Sequence, residues 1–377
     1  METAQAGAQA DDALDRLMSR EAVTVDVAFG ATVDEVYDYL RHSADATGGP
    51  APTRREAEVL ASLEFTAVVG DPDQDSRMRD LHEGDPLDIA LSVGFGGNDA
   101  IGLKRIGEQT FIRIGADTVV QDALHGKPED VSRAMRFMQH AGSLPESLEN
   151  AARALTGAWV VVDPFRYPEY AEAIEAGITG AGQEAEQAAE ETGGLGHAGN
   201  VAKALSGADP LLRPEAQWDF VTRLDDSVRT AGTRLRSLGK EGGTERMELT
   251  LPAGRAQEAL GPLAGLLRQQ ADRFGMPRLV QDPADPDTPV TAVLTLRNGV
   301  LSEIGFDLAQ FGGPDFPPLP LEIGLNSGSA ISLGPPRENA EMLNPEDLTV
   351  ALLYLALREE QREQDPNRGN LPGPVQP

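Results

Sequence analysis

The chain has 377 residues, with 32 Lys+Arg against 61 Asp+Glu and a formal net charge of −29. Apolar content of 40% and charged content of 25% are ordinary for a globular protein and exclude global disorder. The scattered cations exclude broad nucleic-acid binding, which needs clustered Lys and Arg, and the lack of cysteine excludes disulfides, thiolate metal sites and cysteine nucleophiles.

Length alone suggests two or three domains at roughly 150 residues each. Strongly apolar runs are short, as over residues 350–357, and a membrane-spanning helix needs about 20 such residues. Residues 1–12 are small and polar, with neither a charged nor an apolar leader region. The expectation is a cytosolic protein or one whose export signal has been removed.

Residues 1–10 read as a loose lead. Val23, Val25 and Val27 alternate with Thr24 and Asp26, the period of a strand. Val33, Val36, Tyr37 and Leu40 then fall at helical spacing, with Thr32 and Glu35 spaced for a capping box. A Gly/Pro/Ala loop and a short helix over 55–61 follow. Strand alternation returns at Leu63, Phe65, Ala67 and Val69, and again from Leu87 to Phe95. Two more strands are expected over 101–106 and 110–114, and tight turns between them favour antiparallel pairing. Val131, Ala134, Met135 and Met138 make a helical stripe, and so do Leu148, Ala152 and Leu155. Residues 159–162 return to strand and stop at Asp163-Pro164. Residues 167–209 are rich in Ala, Glu and Gly and read as a helical, acidic insertion.

The second half begins with Val221, Leu224 and Val228 on one helical face. Strands are expected over 233–238 and 246–251, then a long amphipathic helix marked by Ala256, Leu260, Leu263, Leu267 and Phe274. After a Pro/Asp linker over 281–289, two alternating runs meet at Asn298-Gly299. That dipeptide is the strongest short hairpin signal, because both central positions of a type I′ turn need positive φ. Residues 319–325 give another strand and 331–333 a short last one. Asn344, Pro345, Glu346 and Asp347 mark the start of a final helix striped by Leu348, Leu352 and Leu355. Residues 365–377 read as a disordered Pro/Gly tail.

Reaction motifs are scarce. Gly94-x-Gly96 has Asp99 where the dinucleotide fingerprint needs glycine, and a strand follows it. Asp71-x-Asp73-x-Asp75 departs from a calcium loop at Ser76 and His82. The histidines show no zinc-protease spacing, and there is no nucleophile elbow or phosphate-binding loop. No catalytic residue, metal site or cofactor is expected, so the chain reads as not an enzyme.

The order of elements and its strand phrases carry a resemblance. The phrases are Thr-Phe-Ile-Arg-Ile-Gly ending at Gly115, Ala-Trp-Val-Val-Val-Asp-Pro ending at Pro164, and the hairpin run from Thr288 to Leu308. The chain resembles actinobacterial (Streptomyces-type) envelope lipoproteins and is more distantly similar to the LppX/LprG lipid-binding lipoproteins with their LolA-like fold. The resemblance implies an α+β fold: a strongly curved antiparallel sheet, a half-barrel of about a dozen strands, with helices packed in the concave face. It implies one domain over 15–364 between a disordered lead (1–14) and tail, with the 167–209 segment as an insertion. It also implies an extracytoplasmic, monomeric envelope protein that holds a lipid or other apolar small molecule. This sequence lacks the lipid-bearing cysteine through which such a protein would reach a membrane.

A curved sheet turns one alternating set of side chains toward its helices, and incomplete filling leaves a ligand-sized apolar space. Leu91, Ile112, Trp159, Leu294, Phe306 and Ile323 are the expected lining. The alternative is a surface protein-interaction or structural module with the same fold, a closed core and no ligand.

Overall fold

The computed structural model describes residues 2–71, 75–82, 85–119, 121, 128–180, 234–259, 261, 279, 285–336 and 340–364. The fold is α+β, built on one antiparallel sheet of 11 strands. The strands are β1 (Ala22–Phe29), β2 (Leu63–Gly70), β3 (Asp88–Phe95), β4 (Asn98–Ile106), β5 (Gln109–Ile114), β6 (Val160–Val162), β7 (Arg234–Glu241), β8 (Thr244–Pro252), β9 (Pro289–Arg297), β10 (Val300–Asp307) and β11 (Pro320–Ser327). The helices of seven or more described residues are α1 (Glu2–Leu17), α2 (Val33–Thr47), α3 (Arg54–Ser62), α4 (Pro128–Ala141), α5 (Glu149–Leu155), α6 (Tyr167–Gly180), α7 (Ala253–Ala259) and α8 (Pro345–Gln364).

The strand order is β6-β5-β4-β3-β2-β1-β11-β10-β9-β8-β7. Each half of the chain is a meander, and the two meet where the first strand pairs with the last. β1 lies antiparallel to β11 from Val23 opposite Ser327 to Phe29 opposite Leu321. The N-terminal strand therefore stands at the centre of the sheet.

Local chemistry accounts for most element boundaries. Thr32 and Glu35 form the expected capping box on α2, and Thr53 and Glu56 form a second on α3. Each satisfies two donors that the helix cannot use itself. The Asn298-Gly299 hairpin is present, with φ of 53° and 76°, and joins β9 to β10.

Residues 2–17 form α1, where residues 1–14 are expected from the sequence as a disordered lead. Its small side chains give a faint hydrophobic signal, but alanine is the best helix former. Ala6, Ala10, Ala13, Leu14 and Leu17 make one buried stripe in the larger core. The short strand expected at 331–333 is also absent. Residues 328–336 instead run across the sheet surface as a strap. The stripe of Val221, Leu224 and Val228, most of the helix expected beyond Ala259, residues 181–209 of the insertion and the tail lie outside the described residues.

The two faces of the sheet are covered differently. On one face, α1, α2 and α3 close a large core over β7–β11, with Tyr39, Leu40, Met247, Leu294, Leu319 and Leu321 fully buried. On the same face, α5, α6 and α8 close a second core over β3–β6, around Ile89, Leu103, Val160 and Tyr170. The opposite face is crossed by the strap. Leu333 packs on Ala22, Val68 and Ala90, Ala330 N donates to Thr24 Oγ1 (3.0 Å), and Lys104 Nζ donates to Ser332 O (2.7 Å). Beyond the strap, Leu343 N donates to Val161 O (2.9 Å), which covers the β6 edge before the chain enters α8.

Candidate functional site

The central strands present the least covered part of the helix-bearing face. Strand alternation puts Val25, Val27 and Phe29 of β1 and Leu63, Phe65, Ala67 and Val69 of β2 on that face. The register sets Val25 opposite Ala67 and Val27 opposite Phe65. All seven are only half-buried. Their same-face neighbours on either side, Leu321, Ile323 and Leu325 of β11 and Ile89 and Leu91 of β3, are buried. The partial exposure extends from Phe65 to Val93 and then Ile101.

The centre of a large sheet is ordinarily where burial is most complete. Here the two cores stop short of each other. Val25, Val27 and Phe29 of β1 and Leu63 and Val69 at the two ends of β2 pack on the first core, and Phe65 and Ala67 between them pack on the second. Between them runs an apolar seam along β1 and β2. The α3 helix closes one end, where Val59 and Leu63 meet Phe95.

The expected lining residues fall in three places. Leu294, Phe306 and Ile323 lie in the first core, and Leu91 and Ile112 in the second, each 7% exposed or less. They share one face of the sheet, but are covered by packed side chains and flank the seam on both sides. Trp159 is on the opposite face. Val160 and Val162 point into the second core, so alternation turns position 159 the other way. Its indole lies where a Cβ on Gly102 would come within 2.7 Å, and Lys104 Nζ stands 5.2 Å from the ring centroid.

The seam residues Val25, Val27, Phe65 and Ala67 were legible as alternating apolar positions. Nothing in the local pattern sets them apart from Leu91 or Leu294, because half-burial follows from where the helices end. Arg105 was likewise missed as the charged member of its strand's apolar set. It stands opposite Ile89 on the helix-bearing face, and is itself half-buried.

Polar groups around the cores are tied into the fold. Tyr39 Oη donates to Leu279 O (2.7 Å), and burial raises its pKa. Tyr170 Oη donates to Leu343 O (2.6 Å), and burial raises its pKa too. Burial lowers that of Lys104, whose donors reach the strap carbonyls. Among the described residues no group of three or more His, Asp or Glu side chains is arranged to hold a metal ion, and no helix is long and apolar enough to cross a membrane. Among the described residues, the seam along β1 and β2 is lined by apolar side chains. The chain matches no protein-family model and no curated protein.

Proposed function

We propose that the protein binds or carries a lipid or other apolar ligand, without catalysis, between the sheet and its helices. In this reading the sheet is curved into a half-barrel, the helices sit in its concave face, and the protein acts at the cell envelope like the LppX/LprG lipoproteins it resembles. The observation that supports it is the seam: seven half-buried apolar side chains on the two central strands, where complete burial is the ordinary outcome. Each apolar group that a ligand covers there contributes roughly 25 cal/mol per Å² removed from water. Native mass spectrometry of the protein from its own host, followed by solvent extraction, tests the reading. Extra mass that becomes a lipid on extraction is the expected result. A bare 40.1 kDa chain that also takes up no lipid in vitro overturns it.

One observation favours the interaction-module reading. On α8, Val350, Leu353, Tyr354 and Leu357 are 38–57% exposed and lie at i, i+3, i+4 and i+7, a single outward stripe. Exposed contiguous apolar surface of this kind marks contact sites. If Leu353→Lys and Leu357→Lys leave the protein's elution volume and cross-linking pattern unchanged, the stripe holds no partner.

A further inference from the structure

Helix α8 is apolar on two sides. Leu348 and Ala351 pack into the second core, and Leu355, one turn after Ala351, is also buried. At about 100° per residue, Leu353 and Leu357 turn to the opposite side, with Val350 and Tyr354 beside them, and all four are exposed. A helix that is apolar on both sides is ordinarily covered on both. Here the described residues cover one.

The exposed stripe continues beyond the start of the helix. Glu346 lies one turn before Val350 and is held by Arg166 (2.6 Å), which also binds Glu169. Phe165, the residue before Arg166, is 95% exposed. Met342, four residues before Glu346, bridges Val161 of β6 and is also exposed. With the α8 stripe, these make six of the eight large apolar side chains exposed among the described residues. Their backbone is fastened in place. Phe165 N donates to Asp163 Oδ1 (2.9 Å), and Tyr170 Oη holds Leu343 next to Met342. A surface ordered in advance loses little freedom when a partner covers it.

The charge around the stripe selects the partner. Residues 163–172 and 341–358 carry Asp163, Glu169, Glu172, Glu341, Glu346 and Asp347 against only Arg166 and Arg358. Both arginines are engaged within the fold, Arg166 by its two glutamates and Arg358 by Ser143 Oγ (3.1 Å). The rim is therefore acidic. A second copy would bring the same rim against itself, in a chain of net charge −29, and like charges across an interface oppose binding. An anionic lipid surface is repelled in the same way. A protein helix with an apolar stripe flanked by Lys and Arg is attracted, and its own i, i+3, i+4, i+7 spacing matches that of α8.

Resting on the contact-site reading of α8, and independent of lipid binding, we infer that α8 and the Phe165 turn dock a basic amphipathic helix of a protein partner. Its apolar face covers Val350 to Leu357, and its cations lie over the acidic rim. The probe is a peptide of about 15 residues, with leucine at helical spacing and lysine elsewhere. Two controls accompany it: an isomer of the same composition in strict alternation, and a version with glutamine for lysine. Fluorescence anisotropy follows their titration with the full chain, as wild type and as the double variant Leu353→Ser, Leu357→Ser. Both leucines are exposed, so the fold tolerates the change. The helical basic peptide binds wild type about tenfold more tightly than either control, and the double variant removes that gap. Equal affinity for the isomer overturns the inference, because charge alone then drives binding. Equal affinity for the glutamine version overturns the basic partner and leaves α8 a contact site. A gap that persists in the double variant places the peptide elsewhere and overturns the inference. A wild-type dimer in sedimentation velocity that the double variant loses makes a second copy the occupant, again leaving the contact site standing. If no peptide binds and no dimer forms, this inference and the contact-site reading fall together.

Discussion

Val27 and Phe65 stand directly opposite each other on adjacent strands, yet they pack into different cores. Cross-strand neighbours on a buried face normally share one packing unit. Their separation puts the boundary between the two cores at the middle of the β1–β2 pair, while α3 reaches across to Phe95 of β3 at one end.

That boundary has an energetic signature. Leu294, 1% exposed, loses about 3 kcal/mol of stability on substitution by alanine, the usual cost of a cavity in a packed core. Phe65→Ala removes more atoms but from a half-covered site, and costs about 1 kcal/mol. Urea unfolding of both variants measures the difference. Equal costs would show Phe65 to be fully packed, and the seam closed.

The strap gives a second expectation. Lys104 is 6% exposed and donates to Ser332 O at 2.7 Å and Gly334 O at 3.4 Å. Lys104→Met leaves both carbonyls without that donor, at a cost of about 2 kcal/mol. Gly102→Ala pushes a methyl group into the Trp159 ring, which has to move. The only other tryptophan is Trp218, so a shift in the emission of Gly102→Ala, checked in a Trp218→Phe background, reports the displacement. Unchanged emission there would place the indole elsewhere.

Acid sensitivity has a definite sign. Glu35 accepts from the Thr32 backbone and side chain at the α2 cap, and this holds its carboxyl below the ordinary value of 4.5. Glu346 is held low by its own backbone N–H and then by Arg166, 2.6 Å away. A carboxylate with a depressed folded-state pKa contributes stability above its unfolded value and loses it as pH falls through the folded value. Melting temperature should therefore fall with pH from about 4.5 downward. Replacing both residues by glutamine lowers the melting temperature at pH 7 and flattens that descent. A descent of unchanged slope would assign the acid sensitivity to other groups.

Several local features were legible because their causes lie within a few residues. Thr32 with Glu35 encodes a cap, Asn298-Gly299 encodes a hairpin, and Asn344-Pro345 starts a helix whose Leu348 N closes on Asn344 O at 3.1 Å. Trp159 went to the opposite face from its expected one because alternation fixes which residues share a face, not which face meets the helices. Helix α1 was missed because alanine buries well against a sheet but carries little hydrophobic signal of its own.

By itself, the sequence determined the alternating strands, their tight turns and the apolar helix stripes, because each depends on backbone preference and side-chain period. It left open that β1 pairs with β11 across some 300 residues, that residues 328–336 strap the opposite face, and that α8 returns to the N-terminal half. Those choices are made by burial, summed over the whole chain and set against the entropy of closing long loops. The seam is their product. No residue in it differs in kind from its buried neighbours, and only the reach of two separate helix layers leaves it half-covered.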